Sequence, residues 1–180
     1  MIKIPNWAEG YIVASGKLKD LKKFCKYFLF DREEDFKKEL SKETKSKKYF
    51  ARSFTWDTWK GFKNAHLKGK NDEVKEIQFG IDFAWSCWSC IFDGYPNGEE
   101  CITLKEALKG LDIELAITTE EGGMGFEEKI TYGKGKRLRY SSKDMPTWTC
   151  ECGNKQMICS DFPVDEETCY ECGKEGLWKK

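Results

Sequence analysis

The order strand, helix, strand, strand, helix, strand can be read along residues 11 to 132, and two cysteine pairs stand near the C-terminal end. Together these predict an α+β chain: a ferredoxin-like split βαβ sandwich, one sheet covered by two helices, followed by a small cysteine-rich ribbon. With 39% hydrophobic residues among 180, the chain has apolar material for one globular domain and an appendage.

Tyr11-Ile-Val-Ala-Ser15 reads as the first strand, ended by Gly16 as a turn. Leu18, Leu21, Phe24, Cys25, Phe28 and Leu29 then recur at steps of three and four, forming one apolar stripe on a helix of about three turns. Residues 31 to 48 are strongly charged, with only Phe36 and Leu40 as anchors. They predict a solvated insertion with helical pairs such as Glu34 and Lys38. Tyr49 to Phe54 is strand-like, and the ring-rich Thr55 to Phe62 reads as a loop over the core edge.

The clearest strand is Glu76 to Phe83, where Ile77, Phe79, Ile81 and Phe83 alternate with polar residues and so share one face. Thr103 and Glu106 have capping-box spacing and open a helix through Leu104, Ala107, Leu108 and Leu111. A strand from Asp112 to Thr118 follows. After the glycine-rich turn Glu120 to Phe126, Lys129 to Tyr132 is a further candidate strand.

The net charge is zero, but residues 1 to 80 carry 19 basic against 12 acidic residues and the remainder carries the reverse, so the halves stand at +7 and −7. Attraction between them within the fold accounts for such a split, and a basic and an acidic face for steering a charged partner is the alternative. The opening residues lack the apolar run of a secretory leader, and no stretch approaches the ~20 apolar residues that span a bilayer, so the expectation is a cytosolic protein with no membrane partner. Clustered cysteines in a reducing compartment signify metal or redox chemistry more often than disulfides.

Cys150-Glu-Cys152-Gly153 and Cys169-Tyr-Glu-Cys172-Gly173 are separated by one hairpin's length. Each pair puts two sulfurs on a turn, and the glycine after it lets the chain fold back, so the two turns can close a tetrahedron of thiolates around Zn²⁺. Four ligands leave no position for water, which makes the zinc structural. Cys159, between the pairs, could replace Cys150 or Cys152.

Pro5-Asn6-Trp7 ahead of the first strand, the tryptophan-rich Trp56 to Asn64, Ala84-Trp85-Ser86 at the end of a strand, and the acidic turn Glu120 to Phe126 occur in the order found in the YubB-like family. From residue 5 to about 133 the chain resembles that family, a ferredoxin-like domain of phage and plasmid proteins. In place of the prolines the family carries after Ala-Trp-Ser, this chain has Cys87-Trp88-Ser89-Cys90. The resemblance implies a mobile-element setting and no particular reaction.

Cys87 and Cys90 have the spacing of a dithiol redox pair and suggest, as one alternative, a thiol oxidoreductase; ending a strand among tryptophans, they read better as buried or edge thiols. His66, the only histidine, falls in a polar stretch read as a solvated loop, and Glu120 and Glu121 read as solvent-facing acids on a turn. Lys134, Lys136, Arg137, Arg139 and Tyr140 lie in a basic segment read as a linker over residues 134 to 146, where Tyr132 and Tyr140 could stack on bases and the cations hold phosphates.

The domain plan is therefore 1–133, with the insertion at 31–48, the linker, and a ribbon over 147–180. The leading functional expectation is a non-enzymatic binding protein of a phage or plasmid, such as an inhibitor of a CRISPR effector. It would meet a host protein or nucleoprotein complex through Trp56, Trp59, Phe62, Trp85 and Trp88. A nucleic-acid-binding accessory factor is the alternative.

Overall fold

A computed structural model describes residues 6–30, 48–92, 100–133, 135, 137–144, 147–157, 168–175 and 178–179. Pro5, nearly all of the charged insertion with its Glu34–Lys38 pair, Lys134, Lys136 and Cys159 lie outside them.

The described chain is an α+β structure with a mostly antiparallel sheet and few helices. Its elements are β1 (Trp7–Lys17), α1 (Leu18–Cys25), β2 (Ser53–Phe54), α2 (Trp59–His66), β3 (Val74–Ala84), a π-helical turn (Trp88–Phe92), α3 (Leu104–Ala107), β4 (Ile113–Glu121), β5 (Phe126–Gly133) and β6 (Arg137–Asp144). Beyond these come β7 (Thr147–Cys150), β8 (Lys155–Met157) and β9 (Trp178–Lys179). The large sheet has the order β2-β3-β1-β4-β5-β6, and β8-β7-β9 form a small second sheet.

Alternation divides the large sheet. Ile12, Ala14, Ile77, Ile81, Ile117 and Ile130 lie in the core with α1, α2 and α3, whereas Glu9, Tyr11, Glu76, Glu114 and Lys129 lie among the non-core positions of the other face. Rings dominate the core, with Phe28 edge-on to Phe79 at 5.6 Å and Phe62 edge-on to Phe79 at 4.9 Å.

The departures from expectation have local causes. Helix α1 stops at Cys25 although its stripe continues, because the next turn is drawn into the sheet: the Leu29 N–H donates to the Ser53 carbonyl at 2.9 Å and the Thr55 N–H to the Leu29 carbonyl at 2.8 Å. Thr55 to Phe62 is not a loop throughout. The Thr58 hydroxyl accepts the Gly61 N–H at 3.1 Å and starts α2, a cap worth about 1 kcal/mol. His66 ends that helix, its ring 4.8 Å from Phe62, and is not in a solvated loop.

The capping box of Thr103 and Glu106 forms as the spacing predicts, but α3 is one turn long before the chain reverses at Gly110, where φ is +78°. The expected linker is instead a sheet strand over much of its length: Arg139 pairs with Thr131 and Tyr140 with Ile130, so β6 completes the large sheet. Glu121 is buried and accepts the Gly123 N–H at 3.2 Å and that of Met124, which ties the turn to its own strand and removes Glu121 from solvent.

Candidate metal centre

The ribbon is two turns held on three short strands. In the first, the Gly153 N–H donates to the Cys150 carbonyl and the Cys150 N–H to the Asn154 carbonyl, both at 2.8 Å. In the second, the Gly173 N–H donates to the Cys169 carbonyl at 2.8 Å and the Cys169 N–H to the Lys174 carbonyl at 2.9 Å. Gly153 at φ +93° and Gly173 at φ +69° take the left-handed conformation that lets each turn close. The missing residue of Cys150-x-Cys152 is absorbed by a bond spanning three residues where the other turn spans four.

These turns bring Cys150, Cys152, Cys169 and Cys172 together, with all four sulfurs within 4.8 Å of one another. Cys150 and Cys172 sulfurs are 3.7 Å apart, as are those of Cys152 and Cys169. One metal ion could touch all four. The Asn154 amide donates to the Cys169 sulfur at 3.5 Å. Burial pushes the Cys169 thiol up, but the Cys172 N–H, the Asn154 amide and the Glu171 N–H outweigh it and bring it down to about 6. The Cys152 N–H favours the Cys150 thiolate, yet burial and the neighbouring sulfurs raise that thiol to about 12. Four sulfurs this close cannot all be anionic without a cation between them.

The expected partner-binding residues divide. Phe62 and Trp59 are core residues, stacked on each other and edge-on to Phe30, so they have no face to offer a partner. Trp56, Trp85 and Trp88 are 68%, 38% and 36% exposed.

Around Cys87, the structure assembles a group in which Glu128 went unread in the sequence. Buried Glu128 accepts the Cys87 N–H at 2.7 Å, the Trp88 N–H at 3.2 Å and the Tyr140 hydroxyl at 2.8 Å. A signal existed, since Glu128 occupies the same alternation phase in β5 as Ile130 and Tyr132. Tyr140 packs 4.5 Å from Trp88, and burial and Glu128 push its hydroxyl up to about 12. Tyr132 is buried; neither tyrosine is placed to stack on bases. Arg137 and Arg139 are exposed on β6, but line a trough that Glu76 and Glu114 also line, which weakens it as a phosphate site.

Burial pushes the Cys25 and Cys87 thiols up, Cys87 further through the Glu128 charge, and raises Cys90 to about 12. Attack requires thiolate, so reactivity is absent near neutrality and rises only as pH climbs toward those values, the reverse of an activated dithiol. Iodoacetamide at about pH 8 should leave Cys25, Cys87 and Cys90 unlabelled in the folded chain and label them after denaturation, as peptide mass mapping would read. Rapid native labelling of Cys90 would contradict its burial.

Among the described residues, no helix is long and apolar enough to cross a membrane. Comparison with protein-family models, curated proteins and solved structures found no match.

Proposed function

We propose that this chain is a non-enzymatic binding protein: a ferredoxin-like sandwich of the YubB-like kind, stapled at its end by a structural zinc, that holds a macromolecular partner with exposed tryptophans. The observation that carries this reading is Trp85. Its backbone sits at φ +92°, fixed by its N–H donating to the Asn6 carbonyl at 2.7 Å, and its ring is held partly in solvent. Such a conformation costs a bulky residue about 1–3 kcal/mol, and such strain gathers at functional sites. Exposed tryptophans are the residues on which binding energy concentrates.

The ferredoxin-like reading is supported by the order β2-β3-β1-β4, with helices in the connections from β1 to β2 and from β3 to β4; α2, in the connection from β2 to β3, departs from that plan, and β5 and β6 extend it. Zinc is supported by the donor set and its size. A tetrahedron with Zn–S bonds of about 2.3 Å has S···S edges of about 3.8 Å; the Cys150–Cys172 and Cys152–Cys169 edges are 3.7 Å, and all four sulfurs lie within 4.8 Å of one another.

The resemblance makes a host-defence nuclease, such as a CRISPR effector, the first partner to test. Trp56→Ala with Trp85→Ala should weaken its capture by at least about tenfold while leaving the metal content and melting temperature near those of the parent. Capture indifferent to both substitutions, together with unchanged phage restriction, would overturn the reading.

A further inference from the structure

Among the described residues, the helices cover one face of the large sheet, and the other face carries a pattern of charge that the tryptophan reading does not use. One register row crosses it as Arg139, Thr131, Ala116, Val13 and Gln78, and the next holds Arg137 opposite Gly133 with Glu114 opposite Ser15 opposite Glu76. The floor is small: Ser15, Ala116, Thr131 and Gly133 line a trough of about 680 Å³. Its cations, Arg137 and Arg139, stand on the edge strand β6, and its acids, Glu76 and Glu114, on β3 and β4.

We propose that this face docks a second copy of the chain, related by a two-fold axis that runs parallel to the strands between β4 and β5. Charge decides the orientation. An axis across the strands would lay one end of β6 over the other and bring Arg137 against Lys143. The axis along the strands lays β6 of one copy over β1 of the other. Arg137 then lies over the second copy's Ser15, flanked by its Glu76 and Glu114, and Arg139 over its Val13, above the small residues of the trough.

The same pairing occurs twice by symmetry. It brings Lys129 of β5 over Thr118 of β4, Lys143 of β6 over Glu9 of β1, and Glu127 of β5 over Glu120 of β4. The last is an acid on an acid, which the Lys143–Glu127 ion pair at 2.7 Å offsets, and no cation meets a cation. The overlap of β1, β4, β5 and β6 is four strands at about 4.8 Å by eight residues at about 3.4 Å, or about 500 Å² per copy. The total of about 1,000 Å² is the least that a specific interface requires, so the dimer is a weak and salt-sensitive one.

Sedimentation equilibrium of the full, metal-loaded chain over a concentration series tests this. The parent should dimerise more weakly as salt rises. Arg137→Glu with Arg139→Glu, and separately Glu76→Arg with Glu114→Arg, should each raise the dissociation constant at least about tenfold. Mixing the two variants should restore a one-to-one heterodimer, because each supplies the charge the other lost; that rescue is not available to a variant that has merely lost its fold. A parent that stays monomeric at every concentration would overturn the proposal. So would variants that still dimerise alone, the result expected of edge-to-edge pairing through β6, or a mixture that stays monomeric. None of these results bears on whether Trp56 and Trp85 hold another protein.

Discussion

Cys169→Ser should abolish stoichiometric metal binding and unfold the ribbon alone. Cys169 is the buried sulfur toward which two N–H groups and the Asn154 amide point, so its loss removes a ligand together with the anion those donors favour. Binding at a structural thiolate site is worth about 10–16 kcal/mol at neutral pH, and a segment of this size gains little from burial on its own. Elemental analysis should find metal in the parent and none in the variant. Amide exchange should show protection lost over β7 to β9 and retained in β1, β3 and β4, and a chelator should reproduce the result in the parent. Full metal content in the variant, or a chelated ribbon that keeps its protection, would remove the case for the site.

A second large effect should separate two aromatic residues six positions apart. Phe62 is fully buried between Phe30, Trp59 and Phe79, so Phe62→Ala leaves a cavity and should cost about 3–5 kcal/mol. For a chain of this length that lowers the melting temperature by about 10 °C. Trp56, 68% exposed, should change stability by no more than about 0.5 kcal/mol when truncated. Scanning calorimetry of both variants decides the matter; equal losses would mean that the ring-rich segment had been wrongly divided between core and surface.

That division was the part the sequence concealed. Trp56, Trp59 and Phe62 occur within seven residues of similar composition, and what sorts them is the start of α2. Thr58 as a cap fixes the helical phase that turns Trp59 and Phe62 inward, and the tryptophans around it obscured the signal. Strands declared themselves better: β3 alternates strictly in sequence from Ile77 to Phe83 and those four side chains are buried, with Asp82 buried between the last two as the one break in the alternation. β6 was missed because its exposed residues make charge its loudest feature, and a strand at a sheet edge with only Leu138 and Tyr140 turned inward has a composition close to that of a linker.

The four-cysteine cluster was legible because metal geometry constrains ligand spacing more narrowly than packing constrains apolar residues. What spacing could not convey was the two-turn hydrogen bonding that compensates for a shortened first pair. Charge separation between the chain's halves was visible, whereas its arrangement over the open face depends on strand order. Sequence position alone puts Arg137 far from Glu76, while the register puts their strands into one trough.

The Glu128 carboxylate adds a polar tie between two parts of the chain that already touch through the Trp88 and Phe92 rings against Tyr140. It holds the first N–H groups of the π-helical turn on one side and the Tyr140 hydroxyl of the outermost strand on the other. If β6 lifts, the carboxylate loses a donor while still buried; if the turn unwinds, it loses two. Fraying at the sheet edge and opening of the turn that follows Trp85 are thereby one cooperative event, so the exposed tryptophan and the arginine-bearing strand should share a single local unfolding equilibrium.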